Sequence, residues 1–114
     1  MPYIKTSTTV RVTKEAEQEL VKEYGKAIEL IPGKNEEWLM LNLSDECRMA
    51  FRGDMDGESC MIEVDIFGST TKAAYAALTE KLCEIASRVL GVPTDRVYVK
   101  YRECDRWGYN GFNF

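Results

Sequence analysis

The chain has 114 residues, 45% of them hydrophobic and 30% charged, which is the size and composition of one globular domain. Its formal net charge of −4 argues against nucleic acid as the main partner, because phosphate binding requires a basic face. The chain contains no histidine, which excludes Ser-His-Asp and Cys-His catalysis and histidine-ligated zinc. Any general base must therefore be an Asp, Glu, Lys, Tyr or Cys side chain, or the N-terminal amine.

The first half of the chain predicts a strand, a helix and a strand. Residues Pro2 to Val12 are rich in Thr, Val and Ile, and predict a strand that runs into a loop. Thr13 is a candidate N-cap for an amphipathic helix that ends at Pro32-Gly33. The apolar run from Trp38 to Leu43 predicts the next strand, and a second short strand is predicted from Cys47 to Phe51.

The second half predicts the same order of elements. The segment from Cys60 to Phe67 partly alternates apolar and acidic residues, which is typical of a strand. A second helix is predicted to start near Thr70 or Thr71 and to end at Gly91. The last predicted strand runs from Arg96 to Tyr101, and a short aromatic tail follows it.

The two halves share one layout, since residues 2–43 and 60–101 each contain a strand, a helix and a strand. A βαβ unit makes its two strands parallel members of one sheet. Two such units predict a two-layer α+β fold, in which a four-stranded sheet carries both helices on one face. The other face is then bare, and a partner subunit is the simplest cover for it. No linker divides the chain, so residues 1–114 are predicted to form a single domain.

The four cysteines, Cys47, Cys60, Cys83 and Cys104, form no Cys-x-x-Cys pair. Scattered cysteines of this kind are typical of reduced thiols in a cytosolic protein, with a disulfide framework or metal site as the alternative. The N-terminus does not resemble a signal peptide, and no apolar run approaches the roughly 20 residues of a membrane span. We therefore expect a cytoplasmic protein, with secretion without a signal peptide left open.

Pro2 is the candidate for the general base. Methionine before a small residue is normally removed, which would leave proline's secondary amine at the N-terminus. A free α-amine titrates at about pH 8, and burial or a nearby cation lowers its pKa. Such an amine would be a base poised near neutral pH. The alternative is that proline at this position has no function.

Three further groups of side chains could line a site. Lys34 follows the predicted end of the first helix, and is either an exposed lysine or a clamp for a substrate carboxylate. Tyr98 and Lys100 share one face of the last strand, which is either solvent-exposed or the wall of a site. The tail is rich in aromatic residues, which indicates a subunit contact or a pocket wall. These residues are Trp107, Tyr109, Phe112 and Phe114.

Four short segments resemble one known family. They are Pro2-Tyr3-Ile4, Met49-Ala50-Phe51, Asp95-Arg96-Val97-Tyr98-Val99 and Gly108-Tyr109-Asn110. In order and spacing they resemble the macrophage migration inhibitory factor and D-dopachrome tautomerase family, over the whole chain.

The resemblance implies a homotrimer whose sheets wrap into a central barrel, with an active site at each subunit interface. It implies that Pro2 is the acid/base in keto–enol tautomerisation of a small aromatic α-keto acid such as phenylpyruvate, without a metal or organic cofactor. Lys34, Lys100 and a backbone amide at Phe67 would hold the carboxylate, and Tyr98 would come from the neighbouring subunit. The aromatic residues that the resemblance adds to the substrate site are Trp38, Trp107, Tyr109 and Phe114.

The sequence departs from the family's pattern at several positions. Lys100 stands where the mammalian cytokine has asparagine, Trp38 where the family has tyrosine, and Tyr109 where it has tryptophan. The loop before Cys60 differs in length, so Ile66 is the alternative to Phe67. No Cys-x-x-Cys pair supports a thiol-oxidoreductase activity. The alternative functions are a secreted cytokine-like ligand of a cell-surface receptor, with the pocket secondary, and a binding module that shares only the fold.

Overall fold

A computed structural model describes residues 1–114 of the chain. It contains two helices, a four-stranded sheet and a small C-terminal hairpin. In chain order the elements are β1 (Pro2–Thr8), α1 (Lys14–Ala27), β2 (Met40–Ser44), β3 (Cys60–Phe67), α2 (Lys72–Ile85), β4 (Val97–Cys104), β5 (Gly108–Tyr109) and β6 (Phe112–Asn113).

The sheet has the strand order β2-β1-β3-β4. Strand β1 is parallel to β2, and β3 is parallel to β4, as two βαβ units require. The two units meet where β1 and β3 pair in antiparallel orientation. This confirms the predicted duplication. In this register Pro2 lies opposite Ile66, so the start of the chain lies beside the end of β3.

Both helices begin at a threonine cap. The side chain of Thr13 accepts a hydrogen bond from the Ala16 N–H at 3.1 Å, and Thr71 does the same for Ala74 at 3.1 Å. Helix α2 continues into a wider turn over Ala86–Leu90 and ends at Gly91, whose φ of 71° is in the left-handed region that glycine adopts without strain. The predicted start of each helix is confirmed.

The core lies between the helices and one face of the sheet. Alternate residues of the central strands, including Ile4 and Ile62, are fully buried against helix residues such as Leu20 and Leu82. Each such aliphatic side chain contributes about 1.5–3 kcal/mol of burial free energy.

The opposite face of the sheet carries no helix, as predicted. Its central residues are charged and form ion pairs between the neighbouring strands β3 and β4. Lys100 lies 3.3 Å from Glu63, and Arg102 lies 3.3 Å from Asp65. We refer to this surface, together with Tyr98, as the open face. No helix of the structure is both long and apolar enough to cross a membrane.

One strand prediction is wrong, and another is wrong at its start. Residues 47–51 form no strand, and Phe51 bonds only to Asp54 across a tight turn. Trp38 precedes β2 and is the last residue of a short 3-10 turn. Asn35 caps the start of this turn, because its side chain accepts a hydrogen bond from the Glu37 N–H at 2.9 Å. A polar cap therefore overrides the apolar pattern that predicted a strand from Trp38 onward.

Candidate functional site

A cavity of about 490 Å³, lined by 11 residues, lies beside the N-terminus. It lies between the start of β1, the start of β2 and the C-terminal hairpin. Four of the residues predicted for the site line it. They are Pro2, Trp38, Trp107 and Tyr109.

Pro2 is buried at the first position of β1. Proline is tolerated there because the first residue of a strand can do without a ladder N–H. The pairing with β3 holds Pro2 opposite Ile66, one residue before Phe67. The sheet register therefore fixes the position of the chain's first residues relative to the end of β3.

The backbone of Phe67 joins the N-terminus to Lys34. The Lys34 Nζ donates a hydrogen bond to the Phe67 carbonyl oxygen at 2.9 Å. The Phe67 N–H donates to the Met1 carbonyl oxygen at 3.0 Å. Ile66, the alternative to Phe67, instead buries its side chain in the core. Phe67 is thus the residue whose backbone meets both the terminal segment and a cation.

The terminal amine has a lowered pKa. The pKa of the Met1 amine falls from 8.0 to about 6, first because burial disfavours the charged form. Lys34 lowers the pKa further, because it hydrogen-bonds to the amine and its positive charge repels the ammonium form. Met1 precedes Pro2 in the described chain, so the Pro2 nitrogen is an amide there and is not basic.

The tail is ordered by its own hairpin. Asn110 and Gly111 both have positive φ, at 52° and 85°, as the two-residue turn between β5 and β6 requires. The hairpin brings the Tyr109 ring edge-on to the Trp38 ring, with centroids 5.2 Å apart. The Phe114 ring lies 6.0 Å from the Phe67 ring. The hairpin thus forms an aromatic wall, with Phe114 against Phe67 outside the cavity lining.

Tyr98 and Lys100 lie elsewhere in a single chain. Both are on the open face, and neither lines the cavity. Tyr98 is 61% exposed and stacks edge-on against Phe51 at 5.2 Å. The Lys100 charge is balanced by Glu63. One chain therefore does not bring these two residues to Pro2, and their place in a site stays a prediction that depends on a neighbouring subunit.

Several residues that line the cavity were not predicted from the sequence, among them Tyr3, Glu37, Met40 and Asp65. Tyr3 and Asp65 are cross-strand partners in the register of β1 and β3, so the strand alternation could have placed them on one face. Glu37 had no local signal, because its position depends on the turn capped by Asn35. No group of three or more Cys, Asp or Glu side chains is arranged to hold a metal ion.

A family model described as macrophage migration inhibitory factor matches residues 1–114. No curated protein sequence is significantly similar to the chain.

Solved structures with the same fold cover nearly the whole chain. MIF2 from Leishmania major is 25% identical, with a TM-score of 0.93 over 100% of this chain and 97% of that one. The macrophage migration inhibitory factor homologue from Prochlorococcus marinus is 28% identical, with a TM-score of 0.87 over 98% of each chain. Pt0534, solved after inactivation by 2-oxo-3-pentynoate, is 19% identical, with a TM-score of 0.84 over 96% of this chain and 93% of that one; it shows the fold alone.

Proposed function

The chain belongs to the macrophage migration inhibitory factor family, and from that premise we propose that it is a keto–enol tautomerase of small aromatic α-keto acids such as phenylpyruvate. The observation that carries the proposal is the contact of Lys34 and the Phe67 backbone with the N-terminus. The arrangement places a terminal amine, a cation and a backbone N–H at one edge of an aromatic-walled cavity.

Removal of Met1 is the step that creates the base. It makes the Pro2 nitrogen a secondary amine at the terminus. Burial and Lys34, which lower the pKa of the Met1 amine, should act on this new amine as well. The pKa of the Pro2 amine should then also lie below the ordinary value of about 8. A base with such a pKa is largely deprotonated at neutral pH and still returns its proton readily.

Removal of Met1 also frees a hydrogen-bond donor. The Phe67 N–H bonds to the Met1 carbonyl, which leaves with Met1. The free Phe67 N–H and the Lys34 ammonium, which contacts the Phe67 carbonyl oxygen, then lie close together. The two donors can hold the substrate carboxylate jointly. Donors fixed in advance stabilise the charge that develops on an enolate, which is often the largest catalytic contribution.

The proposed reaction moves one proton. The Pro2 nitrogen takes the proton from the enol hydroxyl and leaves an enolate. As an oxygen lone pair then forms the ketone carbonyl, the electrons of the carbon–carbon double bond take the proton from the Pro2 nitrogen at the β-carbon, which restores the base. Trp38, Trp107 and Tyr109 would enclose the aromatic ring.

We also propose that the protein is a homotrimer. The open face has no cover within one chain, and Tyr98 and Lys100 reach no cavity residue of their own chain. Assembly through this face would bring Tyr98 of one subunit toward the site of its neighbour.

The test is the rate at which the enol of phenylpyruvate is converted to the ketone by protein without Met1. The Pro2→Gly variant should lose at least about 100-fold in kcat/KM, since positioned acid/base groups contribute that much or more. Pro93→Gly, at an exposed proline outside the cavity, is the matched control and should keep the rate. An undiminished rate in Pro2→Gly would contradict the proposal. No turnover by the unmutated protein would favour the receptor-ligand alternative.

A further inference from the structure

The cavity beside Pro2 is lined by two carboxylates and by no lysine or arginine. These carboxylates are Glu37 and Asp65. Asp65 is neutralised by Arg102, whose Nε lies 3.3 Å away. The Glu37 carboxylate has no ion pair and accepts no hydrogen bond in the structure. Glu37 is therefore the unbalanced negative charge on the cavity wall.

The local fold holds Glu37 in this place. The Asn35 cap fixes the Glu37 backbone at 2.9 Å, and the adjacent Trp38 ring is packed edge-on against Tyr109. Glu36 precedes Glu37 in the same short turn, but its side chain packs over Gly25 of α1 and does not line the cavity. Of these two neighbouring glutamates, only Glu37 lines the cavity.

Positive and negative charge are separated at the site. Lys34 is half-buried, contacts the N-terminus and does not line the cavity. Glu37 is exposed and stands on the cavity wall. The one other cation implied for the site, Lys100, is already paired with Glu63. Suppose that the substrate carboxylate binds at Lys34 and the aromatic ring lies in the cavity. The substituents of the ring would then lie near Glu37.

We propose that Glu37 is a specificity-determining residue, which favours aromatic α-keto acids that carry a positively charged substituent on the ring. The inference rests on the proposed tautomerase function and adds to it the charge of the preferred substrate. An opposite charge at the ring end gains Coulomb attraction from Glu37, whereas an unsubstituted ring leaves the carboxylate solvated.

The test compares the enol of 4-(aminomethyl)phenylpyruvate with the enol of phenylpyruvate. The ratio of the two kcat/KM values should fall about three- to fivefold in Glu37→Gln, the size expected for an exposed ion pair. The same ratio should stay unchanged in Glu36→Gln, which removes an equal charge outside the cavity. High salt should reduce the difference between the two variants, because it screens exposed charges.

An equal ratio in the unmutated protein and Glu37→Gln, or an equal loss in both variants, would overturn the proposal. A second readout separates it from the proposed function. The affinities of 4-(aminomethyl)phenylacetate and phenylacetate, measured by calorimetry on the same three proteins, need no turnover. If phenylpyruvate is not converted, the tautomerase proposal fails, and the binding ratio alone still decides the role of Glu37.

Discussion

At the scale of single residues, Lys34 would connect substrate binding and proton transfer in the proposed mechanism. Its ammonium contacts the Phe67 carbonyl oxygen. Burial first, and Lys34 in addition, lower the pKa of the terminal amine to about 6 in the chain that begins with Met1. One side chain would thus both attract a carboxylate and keep the nearby base unprotonated. The two roles can be separated, because only the second one depends on pH.

The variant Lys34→Ala separates them. Without this cation the pKa of the terminal amine rises toward its ordinary value of about 8, so the amine is protonated over more of the range between pH 6 and pH 8. We expect kcat/KM to fall at both pH values, and to fall more at pH 6. A rise of one pKa unit from about 6 increases the ratio of the rates at pH 8 and pH 6 by about fivefold.

Lys22→Ala is the control, because Lys22 is an exposed lysine of α1 outside the cavity. It should leave both the rate and its pH dependence unchanged. If Lys34→Ala lowered the rate by one constant factor at every pH, Lys34 would bind substrate without affecting the base.

Several residues of the candidate site could be predicted from the sequence, and others could not. The structure brings Pro2, Lys34 and Phe67 together as the family resemblance implied, although their chemical roles are still predictions. Glu37 and Asp65 carry no motif, and they reach the cavity only through a capped turn and through the register of β3. Their presence at the cavity therefore follows only from the three-dimensional structure.

At the scale of elements, the periodicity of apolar residues predicted the elements whose side chains pack in the core. The segment from Cys60 to Phe67 alternates buried and partly buried residues along its whole length, and its predicted bounds match β3. Residues 47–51 have strand-like composition but no partner strand. Arg96 instead holds the following loop, by donating to the carbonyl oxygens of Gly57 and Glu58 at 3.1 and 2.7 Å. Local propensity could not reveal that distant contact.

At the scale of the whole molecule, the open face distinguishes the single chain from the proposed assembly. The face carries paired charges in place of a second layer of helices. Its cations are exposed in one chain, with Lys100 at 55%, whereas Glu63 is only 21% exposed. A symmetric homo-oligomer would cover this face and supply Tyr98 to a neighbour's cavity.

Sedimentation equilibrium tests this assembly. We expect a single species with about three times the 13.0 kDa mass of the chain. Mixing Pro2→Gly and Tyr98→Ala proteins after dissociation should then restore part of the activity, because some sites would combine an intact Pro2 with an intact neighbouring Tyr98. A fully active monomer would contradict the trimer and the role of Tyr98.

The central claim is that removal of Met1 creates both the base and a free donor at Phe67. It is tested most directly by comparing the enol phenylpyruvate rates of the chain with and without Met1, each form identified by intact mass. We predict that the form beginning at Pro2 is active, and that the form retaining Met1 is at least about 100-fold slower, because its proline nitrogen is an amide. Equal rates for the two forms would contradict the account.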